Sequence, residues 1–221
     1  MPAVCVADDL LAPPHRLVLP NGAMLQLIHL PWAARAAAVA RVNAGCHDEP
    51  PEYPGLAHFL EHLVFLGSAD YPPLESLIPF VQRCAGQVNA CTRERHTDYF
   101  FEVPAAALEE GLRRLLDMLA WPLLEPEAQA CEREVLHAEF MARAEDAETL
   151  RDAAFGTGVA PGHPFAAFHA GHRETLPLEQ GAFQQALLGF RRRFYHAGQI
   201  ELVAAGPQPL AELAALAADS G

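Results

Sequence analysis

The chain has 221 residues, of which 51% are hydrophobic and 19% are charged, as is usual for a globular protein with one large domain. Its formal net charge of −13 argues against a nucleic-acid-binding surface, because neutralising phosphates requires a basic face. The apolar runs are short or interrupted by His, Glu, Pro or Arg, so the sequence predicts no membrane span.

The first part of the chain is predicted to consist of strands. Two apolar runs, 16–19 and 23–30, flank Asn21-Gly22, a dipeptide that favours tight hairpin turns. A third run, 36–42, predicts another strand. A helix is then expected from about Gly55 to Gly67, since glycine is a common residue just beyond a helix C-terminus.

The following segments alternate between helix and strand. A second helix is predicted over 73–84, and a second hairpin is formed by strands 87–92 and 97–103. Leucines at helical spacing predict a helix from 108 to 121. The remaining elements are a long helix over 126–155, a loop over 156–164, a helix over 180–194 and a strand over 200–204. This order predicts an α+β fold, a mixed and largely antiparallel sheet with helices packed on it.

The start of the chain and its cysteines indicate a compartment. Residues 1–10 contain no basic region followed by an apolar stretch, so they do not look like a secretory signal. The cysteines are odd in number, widely spaced and without a Cys-x-x-Cys pair: Cys5, Cys46, Cys84, Cys91 and Cys131. We therefore expect a cytoplasmic protein with reduced thiols.

The predicted helix at 56–66 places three ionisable residues among apolar ones, in the order His58-x-x-Glu61-His62. Burying unpartnered polar groups costs several kcal/mol, about 2–7 for a neutral one, and a bound metal would remove that cost. Residues four apart share a helix face, so both imidazoles can reach one point. Glu61 is offset from that point, which suits a general base for a metal-activated water better than a third ligand.

A third metal ligand is expected from the long helix. Its candidates are His137 and five carboxylates, Glu132, Glu134, Glu139, Glu145 and Glu148. Glu132 and Glu139 are seven residues apart and share one face, so one can bind a metal while the other orients a ligand. The alternative is that these carboxylates form only a charged, solvated helix face.

Four segments carry more specific patterns. They are 55–68, with His58-x-x-Glu61-His62; 86–99, which begins Gly-Gln-Val-Asn-Ala-Cys-Thr; 162–176, which begins Gly-His-Pro-Phe; and 188–206. In order and in content they resemble the pitrilysin/insulysin family of inverted-zincin metallopeptidases. The resemblance covers nearly the whole chain.

The resemblance implies a role for each candidate residue. The zinc ligands would be His58, His62 and Glu139, and the general base would be Glu61. Glu132 would be a carboxylate that does not bind the metal but orients one of its ligands. The edge strand at 87–92 would hold a peptide substrate, with Asn89 and Ala90 as the main contacts; the alternative is an ordinary strand. His137 is left to packing or solvent.

Within the family, the segments resemble the long-chain oligopeptidases more than the two-subunit processing peptidases. The stretch Gln-Val-Asn-Ala-Cys-Thr-Arg-Glu-Arg further resembles the bacterial peptidases of pyrroloquinoline quinone biosynthesis. Such an enzyme would process a small precursor peptide. We therefore expect residues 1–221 to be one N-terminal zinc-metallopeptidase domain of a longer enzyme.

Three alternatives remain open. The chain would be a non-catalytic peptide-binding or scaffold subunit, an inactive fragment that needs further domains, or a metal-dependent hydrolase that does not act on peptides. A His-His-Glu site also accepts manganese or cobalt, although zinc is favoured by affinity.

Overall fold

A computed structural model of the chain describes residues 14–160 and 162–219. Cys5 and the side chain of Glu148 lie outside the described part. Within the described part, six strands form one sheet in the order β1-β2-β6-β3-β5-β4. The strands are β1 His15–Val18, β2 Met24–His29, β3 Arg35–Val42, β4 Gln87–Thr92, β5 Thr97–Pro104 and β6 Ile200–Gly206.

The sheet is mixed, because β2 pairs with β6 in parallel while the other four pairings are antiparallel. Both predicted hairpins are confirmed. In the first, the side chain of Asn21 accepts a hydrogen bond from the Ala23 N–H and Gly22 has φ +90°, a conformation that glycine adopts without strain. Together with the helices, this confirms the predicted α+β class.

The described helices are α1 Leu56–Val64, α2 Leu77–Arg83, α3 Leu108–Ala120, α4 Pro126–Arg143, α5 Ala147–Gly156, α6 Gly181–Phe194 and α7 Leu210–Asp219. Helices α1, α2, α3 and α7 pack on the sheet, and α4 and α6 pack on α1, around a core that includes Leu60, Tyr99, Phe101 and Leu112. Helix α7, which buries Leu213 and Ala217, was not predicted from the sequence. None of the described helices is both long and apolar enough to cross a membrane.

Three predicted helix boundaries are wrong. Helix α1 ends at Val64, three residues before Gly67. The helix predicted over 73–84 divides into a 3₁₀ turn, Pro73–Glu75, and α2, because the ring of Pro79 would clash with the Glu75 carbonyl of a continuous helix.

The long helix predicted over 126–155 is also two helices, α4 and α5. Asp146 has an extended backbone (φ −76°, ψ 133°), and its carboxylate accepts a hydrogen bond of 2.9 Å from the Thr149 N–H. This is the geometry of an N-cap, which begins a new helix rather than continuing the preceding one. Helix α4 contacts α1, whereas α5 contacts the 3₁₀ turn Pro164–Ala166.

Helix α1 begins at a close approach between two glycines. Gly55, directly before α1, has φ +97°, and a Cβ atom placed on it would lie 2.2 Å from the Gly171 Cα. Gly171 also has a positive φ, +81°. The loop that carries Gly171 is therefore held directly against the first turn of α1.

We predict that Gly55→Ala destabilises the protein by about 3 kcal/mol, because the methyl group adds a backbone clash to a left-handed conformation. Urea unfolding measures the change. The matched control is Gly189→Ala inside α6, where a Cβ meets no atom within 4 Å and helix propensity should add about 0.5–1 kcal/mol. Equal stability of Gly55→Ala and the wild type would show that the two backbones can separate without cost.

Candidate metal centre

Helix α1 is buried even though it carries three ionisable side chains. His58 and Glu61 are each 7% exposed, and their apolar neighbours Leu60 and Leu63 are at most 1% exposed. Burial of this kind is tolerated only when each polar atom has a partner. The contacts of the three side chains therefore define the site.

A carboxylate outside the predicted site caps α1. The side chain of Glu49, 2% exposed, accepts hydrogen bonds from the Gly55 N–H at 2.9 Å and from the Ala57 N–H at 2.7 Å. Its Oε2 is also 2.8 Å from Nδ1 of His169. Negative charge at a helix N-terminus is favourable, so Glu49 stabilises both the helix and the loop beside it.

The two imidazoles of α1 are oriented through their Nδ1 atoms. Nδ1 of His58 lies 2.7 Å from the Ala170 carbonyl oxygen, and Nδ1 of His62 lies 2.7 Å from Oε1 of Glu132. Because both partners accept hydrogen bonds, each Nδ1 donates its proton. The Nε2 atoms therefore point away from these partners, and they lie 3.2 Å from each other.

The charges of the two histidines differ. Burial lowers the pKa of His58, and the neighbouring His62 lowers it further, although the Ala170 hydrogen bond opposes this. Burial also lowers the pKa of His62, but the hydrogen bond to Glu132 and the charge of Glu139 outweigh it, so the pKa of His62 is raised. A neutral His58 thus faces a His62 that readily holds a positive charge.

Glu139 and Glu132 reach the site from α4. Glu139 Oε2 is 3.7 Å from His58 Nε2, and its Oε1 is 3.9 Å from His62 Nε2. Arg143, one turn later on α4, lies 3.7 Å from the same Oε2. The structure thus brings Glu139 to the two imidazoles and places Glu132 behind His62, on the side away from His58.

Glu61 is held by a residue that the sequence reasoning did not single out. The Thr92 hydroxyl, at the end of β4, donates a hydrogen bond of 2.5 Å to Glu61 Oε2. A ligand-type oxygen of Glu61 lies within 4.8 Å of a nitrogen from each of His58 and His62. Thr92 is the last residue of the Gly-Gln-Val-Asn-Ala-Cys-Thr motif, and its place in this motif is the sequence signal that could have identified it.

The site opens into a cavity of about 470 Å³. His58, Glu61, Ala90 and Thr92 are among its lining residues. Strand β4, which carries Ala90, forms one edge of the sheet and pairs only with β5 among the described strands. Asn89 is exposed beside it, and its side chain accepts a hydrogen bond from the Ala90 N–H.

His137 lies apart from this arrangement. Its ring stacks on Phe140 with the ring centroids 6.5 Å apart. Among the described residues, His137 belongs to neither cluster of side chains whose ligand atoms converge. Its Nδ1 is buried and has no hydrogen-bond partner among the described residues.

The donor atoms fit a tetrahedral zinc ion. With Zn–N bonds of about 2.0–2.1 Å, two ligand nitrogens of a tetrahedral site lie about 3.3 Å apart. The observed Nε2 separation is 3.2 Å. If both imidazoles were neutral, the lone pairs of their Nε2 atoms would face and repel each other at this distance. The arrangement therefore requires either a shared proton or a cation between the two nitrogens.

Comparison with known proteins establishes the family. The sequence model of the family described as insulinase (peptidase family M16) matches residues 26–159, and the chain belongs to this family. The chain is 57% identical over 203 residues to "Coenzyme PQQ synthesis protein F" of Pseudomonas aeruginosa, covering 92% of this chain and 26% of that protein. It is 36% identical over 204 residues to "Protease 3" of Escherichia coli, covering 91% and 21%.

A solved structure agrees with these matches. The crystal structure of pitrilysin superposes with a TM-score of 0.85 at 34% identity, covering 93% of this chain and 22% of that one. The chain therefore spans about a quarter of the length of the curated relatives it matches. These findings confirm the resemblance to the pitrilysin/insulysin family and to its pyrroloquinoline quinone group.

We predict that Glu49→Ala destabilises the protein by about 3 kcal/mol, because it leaves two helix N–H groups and the His169 ring without their buried partner. Urea unfolding measures the loss. Glu52→Ala, an exposed carboxylate of the same loop, is the matched control and should change stability by less than about 0.5 kcal/mol. A similar small effect of both variants would contradict the capping role.

We also predict a pH-dependent effect of His169→Gln. Burial lowers the pKa of His169, but the hydrogen bonds to Glu49 and to the Pro164 carbonyl outweigh it, so the folded-state pKa is raised above 6.5. The charged pair therefore stabilises the fold fully below pH 6.5, and this contribution declines as pH rises through the folded-state pKa. The unfolding free energies of the wild type and of His169→Gln, measured in the presence of a chelator from pH 5.5 to 8.5, should therefore converge as the pH rises.

Proposed function

We propose that this chain is the N-terminal, metal-binding domain of a zinc-dependent endopeptidase that hydrolyses peptides or small proteins. One observation carries the proposal. Two imidazole Nε2 atoms, each fixed from behind, lie 3.2 Å apart beside two carboxylates at the wall of a cavity. Family membership supports it, because peptidases of this family are in general zinc-dependent.

In this proposal His58, His62 and Glu139 hold the metal. Glu132 keeps His62 in the tautomer whose Nε2 is free to bind, and the Ala170 carbonyl does the same for His58. Glu139, which also contacts Arg143, would supply the third donor. Zinc is favoured over manganese and cobalt by the nitrogen-rich ligand set.

Glu61 is proposed as the general base. A bound zinc would lower the pKa of a coordinated water and polarise a peptide carbonyl. Glu61 would take the proton from the water and pass it to the leaving amine. Because Thr92 occupies Oε2, we assign the proton to Oε1. A single carboxylate can serve both transfers, since its position is fixed by the Thr92 hydroxyl.

Strand β4 is proposed to bind the substrate. An extended peptide that pairs with this sheet edge would use its main chain, which requires no particular sequence. Asn89 and Ala90 lie on β4, and Ala90 lies in the cavity wall with His58 and Glu61. This placement would bring the peptide bond close to the metal centre.

The substrate and the remaining parts of the enzyme are also proposals. The 57% identity with a coenzyme PQQ synthesis protein supports a precursor peptide of pyrroloquinoline quinone as the substrate. Because the chain spans a quarter of its relatives, we propose that residues 1–221 form one domain of a longer enzyme. The small share of its relatives' length that the chain spans also favours a second candidate function: a domain that binds peptides but hydrolyses none without further domains.

We predict one zinc per chain at the His58-His62 centre, measured by plasma mass spectrometry as the difference in zinc content between the wild type and His58→Ala. His58→Ala and Glu139→Gln should each lose this zinc, because each removes a ligand. Glu61→Gln should retain the metal and abolish peptide hydrolysis wherever the wild type shows it, by at least about 100-fold. Glu134→Gln, which lies on the same helix and pairs with Arg173 instead, is the matched control and should retain both.

Two outcomes would contradict these assignments. A wild type that stays metal-free after zinc reconstitution would favour the peptide-binding candidate. Unimpaired turnover by Glu61→Gln would exclude Glu61 as the base. If metal binds but only small esters are hydrolysed, the chain is a hydrolase of another class.

A further inference from the structure

A second group of potential metal ligands lies in the wall of the same cavity. Cys46, His47 and His169 each present a ligand atom, and these atoms lie within 4.8 Å of one another. All three residues line the cavity that also contains His58 and Glu61. The proposed peptidase chemistry uses none of the three.

The backbone holds Cys46 and His47 in place. They begin a 3₁₀ turn, Cys46–Asp48, whose N–H groups bond to the β4–β5 turn: Cys46 N to the Arg93 carbonyl at 2.9 Å and His47 N to the Glu94 carbonyl at 2.8 Å. Asp48 closes the turn by accepting a hydrogen bond from the Gly45 N–H at 3.0 Å. These hydrogen bonds fix the backbone of the turn, so the side chains of Cys46 and His47 are held next to each other.

His169 has the environment of a metal-bound histidine. Its Nδ1 donates to the buried Glu49 carboxylate at 2.8 Å, and its Nε2 lies 2.8 Å from the Pro164 carbonyl oxygen. Histidine ligands usually donate their other ring N–H to a carboxylate, which fixes the ring and strengthens the ligand. A metal at Nε2 would replace the proton that Nε2 now donates to Pro164 and would require the Pro164 carbonyl to move aside, while the Glu49 contact stays intact.

The charges around the cluster are suitable for a cation. Burial and the charges of Glu49 and Glu94 raise the pKa of the Cys46 thiol to about 12. The same carboxylates would attract a divalent ion, whose charge in turn favours the thiolate. Burial and the charge of His169 lower the pKa of His47, so its imidazole is neutral and available to bind.

We propose that Cys46 Sγ, His47 and His169 Nε2 form a second metal site for zinc or a similar borderline cation, separate from the His58-His62 centre. In tetrahedral zinc sites the corresponding S···N and N···N separations are about 3.6 and 3.3 Å, so an ion would draw the three donor atoms, which lie within 4.8 Å of one another, closer together. Binding releases the proton of the Cys46 thiol to solvent, and also the Nε2 proton of His169 when that imidazole is charged. Three protein ligands leave one coordination position open towards the cavity.

Cobalt(II) titration of the purified chain tests the site. The His58-His62 centre offers only nitrogen and oxygen, so a thiolate-to-cobalt charge-transfer band in the near ultraviolet reports a cysteine ligand alone. We expect this band in the wild type, where it saturates by two cobalt ions per chain because both centres fill, and in His58→Ala, where it saturates at one. Cys46→Ser should abolish the band, and His47→Gln should weaken cobalt affinity at least tenfold.

Cys91→Ser is the matched control, because Cys91 lines the same cavity without belonging to the cluster, and it should retain the band. Absence of the band in a wild type whose thiols are shown to be reduced would overturn the proposal. So would a band that survives Cys46→Ser. Loss of metal from His58→Ala with the band preserved separates this site from the proposed catalytic one, so the two proposals fail independently.

Discussion

The Glu49 carboxylate is the contact on which the geometry of the site depends. It accepts hydrogen bonds from two N–H groups at the start of α1 and from His169 in the loop that packs against that helix. The next residue in the loop, Ala170, orients His58 through its carbonyl oxygen. One buried charge thus fixes both the helix that carries the histidines and the backbone that aligns the first of them.

The second requirement is charge balance in a buried place. Three carboxylates, Glu61, Glu132 and Glu139, lie around the two imidazoles of α1. Without a cation, the burial of His62 is outweighed by the Glu132 hydrogen bond and the nearby carboxylates, which raise its pKa and so favour a single positive charge on that imidazole. A divalent ion would supply two and would satisfy both Nε2 atoms at once, so protons and metal compete for the same position.

The sheet contributes to the site through its edge strand β4 and not through its central strands. Strand β4 lies at one edge, carries the Thr92 hydroxyl that fixes Glu61, and borders the cavity. The β4–β5 turn also anchors the 3₁₀ turn of Cys46 and His47. The hydrogen bond that fixes Glu61, the proposed peptide contact and the proposed second metal site therefore share one edge of one sheet.

The sequence by itself determined where the strands lie along the chain, the α+β class and the His58-x-x-Glu61-His62 helix, because these depend on local periodicity and on spacing within one helix. It also indicated Glu132 and Glu139, which share one face of α4. It missed the helix breaks at Ser76 and Asp146 and did not predict α7, since those boundaries depend on single residues. Only the tertiary structure decided the roles of Glu49, Thr92 and Ala170 and the meeting of Cys46 with His169, because residues that are far apart in the chain meet only after folding.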